Sequence, residues 1–284
     1  MMSNDQQIIQ ELSSIIESGD TGRLDVKWDN GRVTGLDIFG KENLSELPNI
    51  IFDLNQLTIL SIRYCDLNSI PPAIGNLVKL EYLQLRGNNL KELPDSIQNL
   101  KELHDLDLSC NKFSVMPECI FSLTKIKTLA LQQNKLTYLP NQFNRILNLD
   151  SIDLSNNQLT SLPESFSSLK FSKHGCVILS GNLFNSFPTN IPLTVKTLAM
   201  SNLGIENIPS LAQYTQLESL YLEGNKLSEL PLDFDKLNKL TRLELSSNMF
   251  EYYPDILLEM SEYLNIFLYD NPLKEEWCKR RYSW

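Results

Sequence analysis

Apolar residues recur along this chain in a fixed frame. Set beneath one another, LEYLQLRGNNLKELPDSIQNLKE, LHDLDLSCNKFSVMPECIFSLTK, IKTLALQQNKLTYLPNQFNRILN and LDSIDLSNNQLTSLPESFSSLKF share the pattern L-x-x-L-x-L-x-x-N-x-L-x-x-L-P-x-x-I-x-x-L-x-x. Within L-x-x-L-x-L the pairs Leu83 and Leu85, Leu106 and Leu108, Leu129 and Leu131, and Leu243 and Leu245 alternate with a period of two, which predicts a short strand buried on one face. The later apolar positions Leu90, Leu93, Ile97 and Leu100 return at spacings of three and four. That spacing predicts a turn of 3₁₀ or α-helix, with Pro94 placed where a helical segment can start without losing a bond.

Units of this kind begin at Val33, Leu57, Leu80, Leu103, Ile126, Leu149, His174, Val195, Leu217, Leu240 and Tyr263, with successive steps of 24, 23, 23, 23, 23, 25, 21, 22, 23 and 23 residues. One unit cannot bury its own apolar face, so the units must stack. The strands then form one parallel sheet at about 4.8 Å per strand, and the wider helical returns on the back curve the stack. At the ninth position stand Asn88, Asn111, Asn134, Asn157, Asn182, Asn225, Asn248 and Asn271, with Cys65 and Leu203 replacing it in two units. These asparagines read as structural, turned inward to satisfy backbone groups where each strand ends.

An open end of a stack exposes core, so caps are expected. Over residues 6 to 18, Ile8, Ile9, Leu12, Ile15 and Ile16 share one helical stripe that Ser18-Gly19 closes. Two alternating stretches then flank Asp29-Asn30-Gly31, a hairpin turn signal, with Trp28 expected to shield the first repeat strand. At the other end Leu273 and Trp277, at i and i+4, are expected to cover the last unit. The expected organisation is an N-terminal cap at 1–32, a solenoid at 33–273 and a C-terminal cap at 274–284. Residues 169–209 depart from the frame, two residues longer in one step and two shorter in the next, through a functional change of curvature or through drift.

The pattern resembles the leucine-rich repeat family, in its intracellular class of about 23 residues per unit with an LPxxIxxL second half, over residues 33 to 273. The resemblance implies an α/β solenoid, a curved horseshoe with its parallel sheet on the concave face and short helical or 3₁₀ segments on the convex face. Extracellular members cap with paired cysteines, a pattern that Cys278 alone does not match. Some bacterial members carry a cysteine-dependent ubiquitin-ligase domain after the repeats, and too few residues follow the last unit here to fold one.

Composition narrows the function. The chain has 51 leucines among 284 residues, 25 Lys and Arg against 35 Asp and Glu, and a net charge of −10, so neither nucleic acid nor an anionic membrane surface is an expected partner. No run of 18 apolar residues and no basic N-terminal region preceding an apolar one is present. Five cysteines stand singly without a CxxC pair, which suits a reducing compartment. A cytoplasmic protein is expected, with delivery into a host cell left open by the bacterial resemblance.

Chemistry is thin. With only His104 and His174, a histidine triad or multi-histidine metal site is barely available, and no phosphate-binding glycine loop, GxSxG elbow or metal-spaced cluster occurs. His174 reads as a core-edge residue, His104 as solvated, and Cys65 and Cys119 as packing residues. No catalysis, cofactor or metal is expected.

Positions three, five, seven and eight of each unit point onto the concave face, and there the sequence gives three zones. Phe39, Ile59, Arg63, Tyr64, Tyr82 and Arg86 cluster at one end and Tyr221, Arg242, Phe267 and Tyr269 at the other, around a middle of small residues with Asp105, Asp107 and Asp153. Tyrosine and arginine are enriched in interface hot spots, so the two ends are the candidate partner-binding residues. The competing reading is cross-strand stacking that merely stabilises the sheet. The expected ligand of an arc of roughly 50 Å is a protein or extended peptide with a basic strip, bound by a monomer; no narrow pocket suits a small molecule. Two functions fit: a non-catalytic adaptor, scaffold or effector-like binding module, or the substrate-recognition arm of a larger enzyme such as a ubiquitin ligase.

Overall fold

The computed structural model describes residues 3–16, 22–258, 260 and 264–274. Its single sheet has twelve strands in sequence order: β1 (Arg23–Asp29), β2 (Arg32–Phe39), β3 (Ile59–Arg63), β4 (Tyr82–Gln84), β5 (Asp105–Asp107), β6 (Thr128–Ala130), β7 (Leu149–Asp153), β8 (Phe171–Ile178), β9 (Thr197–Ala199), β10 (Ser219–Tyr221), β11 (Arg242–Glu244) and β12 (Asn265–Phe267). β1 and β2 are antiparallel, and every later pairing is parallel. The middle residue of the alternating pattern forms one column through the stack, with Leu60, Leu83, Leu106, Leu129, Ile152, Val177, Leu198, Leu220, Leu243 and Ile266 in successive register. All but the last, partly buried at the sheet's edge, are buried.

The convex returns are 3₁₀ turns, several opened by the proline of the LP pair. Pro48, Pro71, Pro94, Pro117 and Pro163 directly precede such turns, and in one the Ile97 N–H donates to Pro94 O at 3.1 Å. Behind them Phe121, Phe143 and Phe166 stack edge to face, with centroids 5.3 and 4.9 Å apart.

The N-terminal helix α1 spans Asn4–Ile16 and buries Ile8, Leu12 and Ile16. Its start is a reciprocal cap, with Gln6 N–H donating to Ser3 Oγ at 3.2 Å and Ser3 N–H to Gln6 Oε1 at 2.8 Å. Asp5 takes a part that no pattern signalled: this carboxylate, 1% exposed, accepts from Val33 N–H at 2.8 Å and Arg32 Nε at 3.0 Å and so pins the helix to β2. The Asn30-Gly31 hairpin forms with both residues at positive φ, 47° and 75°. Trp28 does not shield the first repeat strand. A register shift between Lys27 and Trp28 leaves the indole exposed, and Leu24 and Val26 pack against the core instead. The helix stop at Ser18-Gly19, Trp277, and all of the expected C-terminal cap except residue 274 lie outside the described residues.

The irregular stretch is absorbed locally. Between Leu149↔Phe171 and Ser151↔Cys176 the register slips, so β8 is long, and Phe171 is the residue that packs on the core beside Leu149. His174 is therefore exposed and not a core-edge residue. The following two units, without 3₁₀ turns among the described residues, fill their backs with Phe184, Phe187, Ile191, Ile205, Ile208, Leu211 and Tyr214. The sheet continues unbroken across both.

The asparagines hold successive units together. Asn111 Nδ2 donates to Leu85 O of the preceding unit at 2.9 Å and to Leu108 O of its own at 3.1 Å, while its Oδ1 accepts from Leu90 N–H at 3.0 Å. Asn134, Asn157, Asn182, Asn248 and Asn271 repeat the arrangement. Cys65 imitates it, its buried thiol directed at Ile38 O (3.7 Å) and Arg63 O (3.2 Å). After the units that carry Cys65 and Leu203 in its place, the next asparagine accepts two amides: Asn88 Oδ1 takes Cys65 and Leu67 N–H, and Asn225 Oδ1 takes Leu203 and Ile205 N–H, all at 3.1 Å. Removing such an amide orphans three buried backbone groups. Asn134→Ala is expected to cost about 3 kcal/mol in urea unfolding and to abolish exchange protection at the Phe113 amide. Asn134→Cys should cost less; equal losses would show that a thiol does not substitute.

Candidate functional site

The outward positions of β2 to β12 lie side by side on the concave face, each row running across the stack. At the end of every strand the chain must turn sharply, and the eighth residue of each unit accordingly sits in the left-handed region: Gly40, Tyr64, Gly87, Cys110, Gln133, Asn156, Gly181, Asn202, Gly224, Ser247 and Asp270 have φ between 53° and 71°. Tyr64 at φ 56° is the bulkiest side chain among them, held where a side chain costs roughly 1 to 2 kcal/mol. Its neighbour in the next unit explains how it fits. A Cβ on Gly87 would come within 2.3 Å of the Tyr64 ring, so the ring occupies the space that a side chain at position 87 would need.

Four of the N-terminal candidates form one connected group. Phe39 and Tyr64 meet edge to face at 5.7 Å, and the Arg63 guanidinium lies over the Phe39 ring at 5.5 Å. Arg63 also pairs with Asp37 at 2.8 Å, while Arg86 Nε donates to Tyr64 Oη at 2.7 Å and Nη1 reaches Ser109 Oγ at 3.5 Å. Phe39 and Tyr64 remain 44% exposed, so the cluster is built and still open. Tyr82 stands apart, because it occupies the third position of its unit and the others the seventh and eighth. It lines a separate hollow of about 270 Å³ with Glu81, His104, Asp105, Lys127 and Asp150. Three participants were missing from the sequence-derived set: Asp37, Ser109 and Gly87. The glycine at an eighth position after a tyrosine was the one available signal.

At the other end all four candidates come together. Arg242 lies over both Tyr221 (5.4 Å) and Phe267 (4.9 Å), and Phe267 packs on Tyr269 with centroids 6.3 Å apart. Tyr269 is 69% exposed. Between the ends Asp105, Asp107 and Asp153 alternate with small residues, and burial together with neighbouring Asp107 pushes the Asp105 carboxyl upward. Asp107 and Asp153 also accept from the N–H of Ser109 and Ser155 at 2.9 Å each, which fixes their side chains.

Burial pushes the Cys65, Cys119 and Cys176 thiols up, Cys119 to about 11, the reverse of what a nucleophile needs. Among the described residues no group of three or more His, Cys, Asp or Glu is placed to hold a metal ion, and no helix is long and apolar enough to cross a membrane.

Comparison with known proteins agrees with this geometry. The pattern of the leucine-rich repeat region family matches residues 72–170, and that of the single leucine-rich repeat matches 56–77 and 216–237. Podocan-like protein 1 of Homo sapiens is 36% identical over 81 residues, 27% of this chain and 16% of that protein. Among solved structures, a leucine-rich repeat protein of Leptospira interrogans is 28% identical with a TM-score of 0.56, covering 84% of this chain and 72% of its own. The leucine-rich repeat ectodomain of the Arabidopsis thaliana membrane receptor kinase GASSHO1/SCHENGEN3, in complex with CASPARIAN STRIP INTEGRITY FACTOR 2, is likewise 28% identical, with a TM-score of 0.53 over 80% of this chain and 31% of its own. The match thus spans only a small part of the podocan-like protein and of the plant ectodomain.

The contact between Tyr64 and Gly87 is open to a double-mutant cycle. Gly87→Ala is expected to lower stability by about 1 to 3 kcal/mol, through backbone strain and displacement of the ring. Removing the ring first, in Tyr64→Ala/Gly87→Ala, should recover at least about 0.5 kcal/mol of that loss. Strict additivity in thermal or urea unfolding would contradict the packing described.

Proposed function

We propose that this leucine-rich repeat protein is a non-catalytic interaction module, an adaptor, scaffold or effector-like protein, that binds a protein or extended peptide on its concave face. The observation that carries the reading is the pair of exposed aromatic and arginine clusters at the two ends of one continuous sheet, each already held in place by its own contacts. A surface pre-organised in this way loses little side-chain entropy on association, as hot-spot residues require. The acidic middle favours a partner with a basic strip between its two contact points. Aromatic contacts within each cluster also stabilise the sheet, so stacking and binding are two uses of the same side chains.

The general role as a protein-interaction module has support in the family and in neighbours such as the plant ectodomain in complex with CASPARIAN STRIP INTEGRITY FACTOR 2. That neighbour, the ectodomain of a receptor kinase, also favours a second reading, in which these repeats are the recognition arm of a larger enzyme. On the concave wall, burial raises the Cys176 thiol, which disfavours it as a nucleophile. We further place the protein in the cytoplasm, on the composition argument given above, and take it to act as a monomer.

Affinity capture with wild type, Phe39→Ala/Tyr64→Ala/Arg86→Ala and Tyr221→Ala/Tyr269→Ala, all checked for equal unfolding midpoints, tests the reading. At least one variant is expected to lose a wild-type partner by ten-fold or more. Tyr82→Ala, outside the connected cluster, should have a smaller effect. Capture of the same proteins by every variant would refute the concave face as the binding surface.

A further inference from the structure

We infer that the N-terminal end of the concave face is a subsite for an oxyanion, a carboxylate or phosphate group carried beside an aromatic or apolar group of the ligand. The inference rests on the concave-face reading and narrows it at one place.

The first observation is a charge outside any ion pair. Arg86 takes part in none of the ion pairs among the described residues, although the chain carries a net charge of −10. Its guanidinium is held by two neutral hydroxyl groups, Tyr64 Oη at 2.7 Å and Ser109 Oγ at 3.5 Å. The pose is therefore fixed while the positive charge stays available. Asp107 acts on Arg86 electrostatically but pairs with it in none of the ion pairs among the described residues. Asp37 is matched by Arg63 at 2.8 Å, and Asp107 accepts from the Ser109 N–H at 2.9 Å without reaching ion-pair distance of Arg86.

The second observation is independent of the first. Three buried polar atoms without a hydrogen-bond partner gather on the paired strands β2 and β3: Asp37 Oδ1, Ser61 Oγ and Arg63 Nε. Ser61 is 4% exposed, on an outward position whose hydroxyl has nothing to bond. Buried polar atoms are ordinarily satisfied by protein, water or an ion, so three without a partner in the protein, gathered at one place, leave room for an exogenous group. Ser61 Oγ and Arg63 Nε can donate, which with the guanidinium of Arg86 suits an acceptor-rich anion, while Asp37 Oδ1 only accepts and takes no part in holding one.

The third observation supplies the ligand's other half. Phe39 and Tyr64, each 44% exposed, form an apolar wall beside the guanidinium, and Tyr64 is kept there in a left-handed backbone conformation. The turn after β3 imposes that conformation, and Gly87 in the next unit leaves the space that the ring occupies.

Three small probes that share a benzene ring test this on the full chain: phenylacetate, phenyl phosphate and the neutral phenylacetamide, titrated at low salt while the Tyr64 and Gly87 amides are followed by NMR. Saturable shifts are expected from one or both anions, at least ten-fold tighter than from phenylacetamide, and the tighter anion identifies the source as carboxylate or phosphate. Arg86→Gln should remove that difference, Arg86→Lys should keep part of it, and Arg242→Gln at the far end should leave it intact. Equal binding of phenylacetamide, no saturable shift from any probe, or anion binding that survives Arg86→Gln would each overturn the subsite. Loss of the subsite with capture still dependent on the concave clusters leaves the wider reading standing, and the opposite pair of results separates them the other way.

Discussion

A unit of 23 residues with a strand on one side and a 3₁₀ turn on the other has no inside of its own, and the inward asparagine amide is what lets it borrow one. The amide fixes the distance and register between neighbouring units by bonding the backbone of both, at the point where the strand ends and the ladder hydrogen bonds stop. Leucine columns supply the bulk of the free energy, but they are non-directional and would tolerate sliding. The amides do not tolerate it. Where one is missing, as at Cys65 and Leu203, the next asparagine accepts a second N–H and the register survives.

Because every inward position is committed to this stack, variation is confined to the outward rows. The sharp turn after each strand imposes a left-handed residue at the eighth position, and this constraint reaches the surface chemistry: glycine there makes room for a side chain from the unit before, as Gly87 does for Tyr64. Large aromatic side chains can thus be laid against the wall and tied down by arginine. The outcome is a face with two aromatic ends, each bearing arginine against its rings, and a carboxylate-lined middle.

Most of the architecture was legible in the sequence, because the period of two in LxxLxL, the asparagine and the LP pair each report one local interaction that repeats. The hairpin at Asn30-Gly31 was legible for the same reason. What escaped depends on contacts between segments distant in sequence. Asp5 looks like an ordinary first-turn acid and is a buried anchor to Val33 and Arg32. Trp28 looks like a cap and is turned outward by a register shift, while His174 inherited a core position from the spacing that Phe171 takes over through the slip before β8. At the candidate site the row positions separated outward from inward residues, yet could not tell that Tyr82 stands apart from Tyr64, since the two differ only in their place along the strand. The bond from Arg86 to Tyr64 needed coordinates.

The concave wall as grasping surface makes a spatial claim that oxidative footprinting of the tyrosines reads directly. With a captured partner bound, Tyr64, Tyr221 and Tyr269 on the concave side are expected to lose reactivity, while the exposed Tyr138 and Tyr252, on the flank after the strands, keep theirs. Protection of Tyr138 and Tyr252 with the concave tyrosines unchanged would contradict the account.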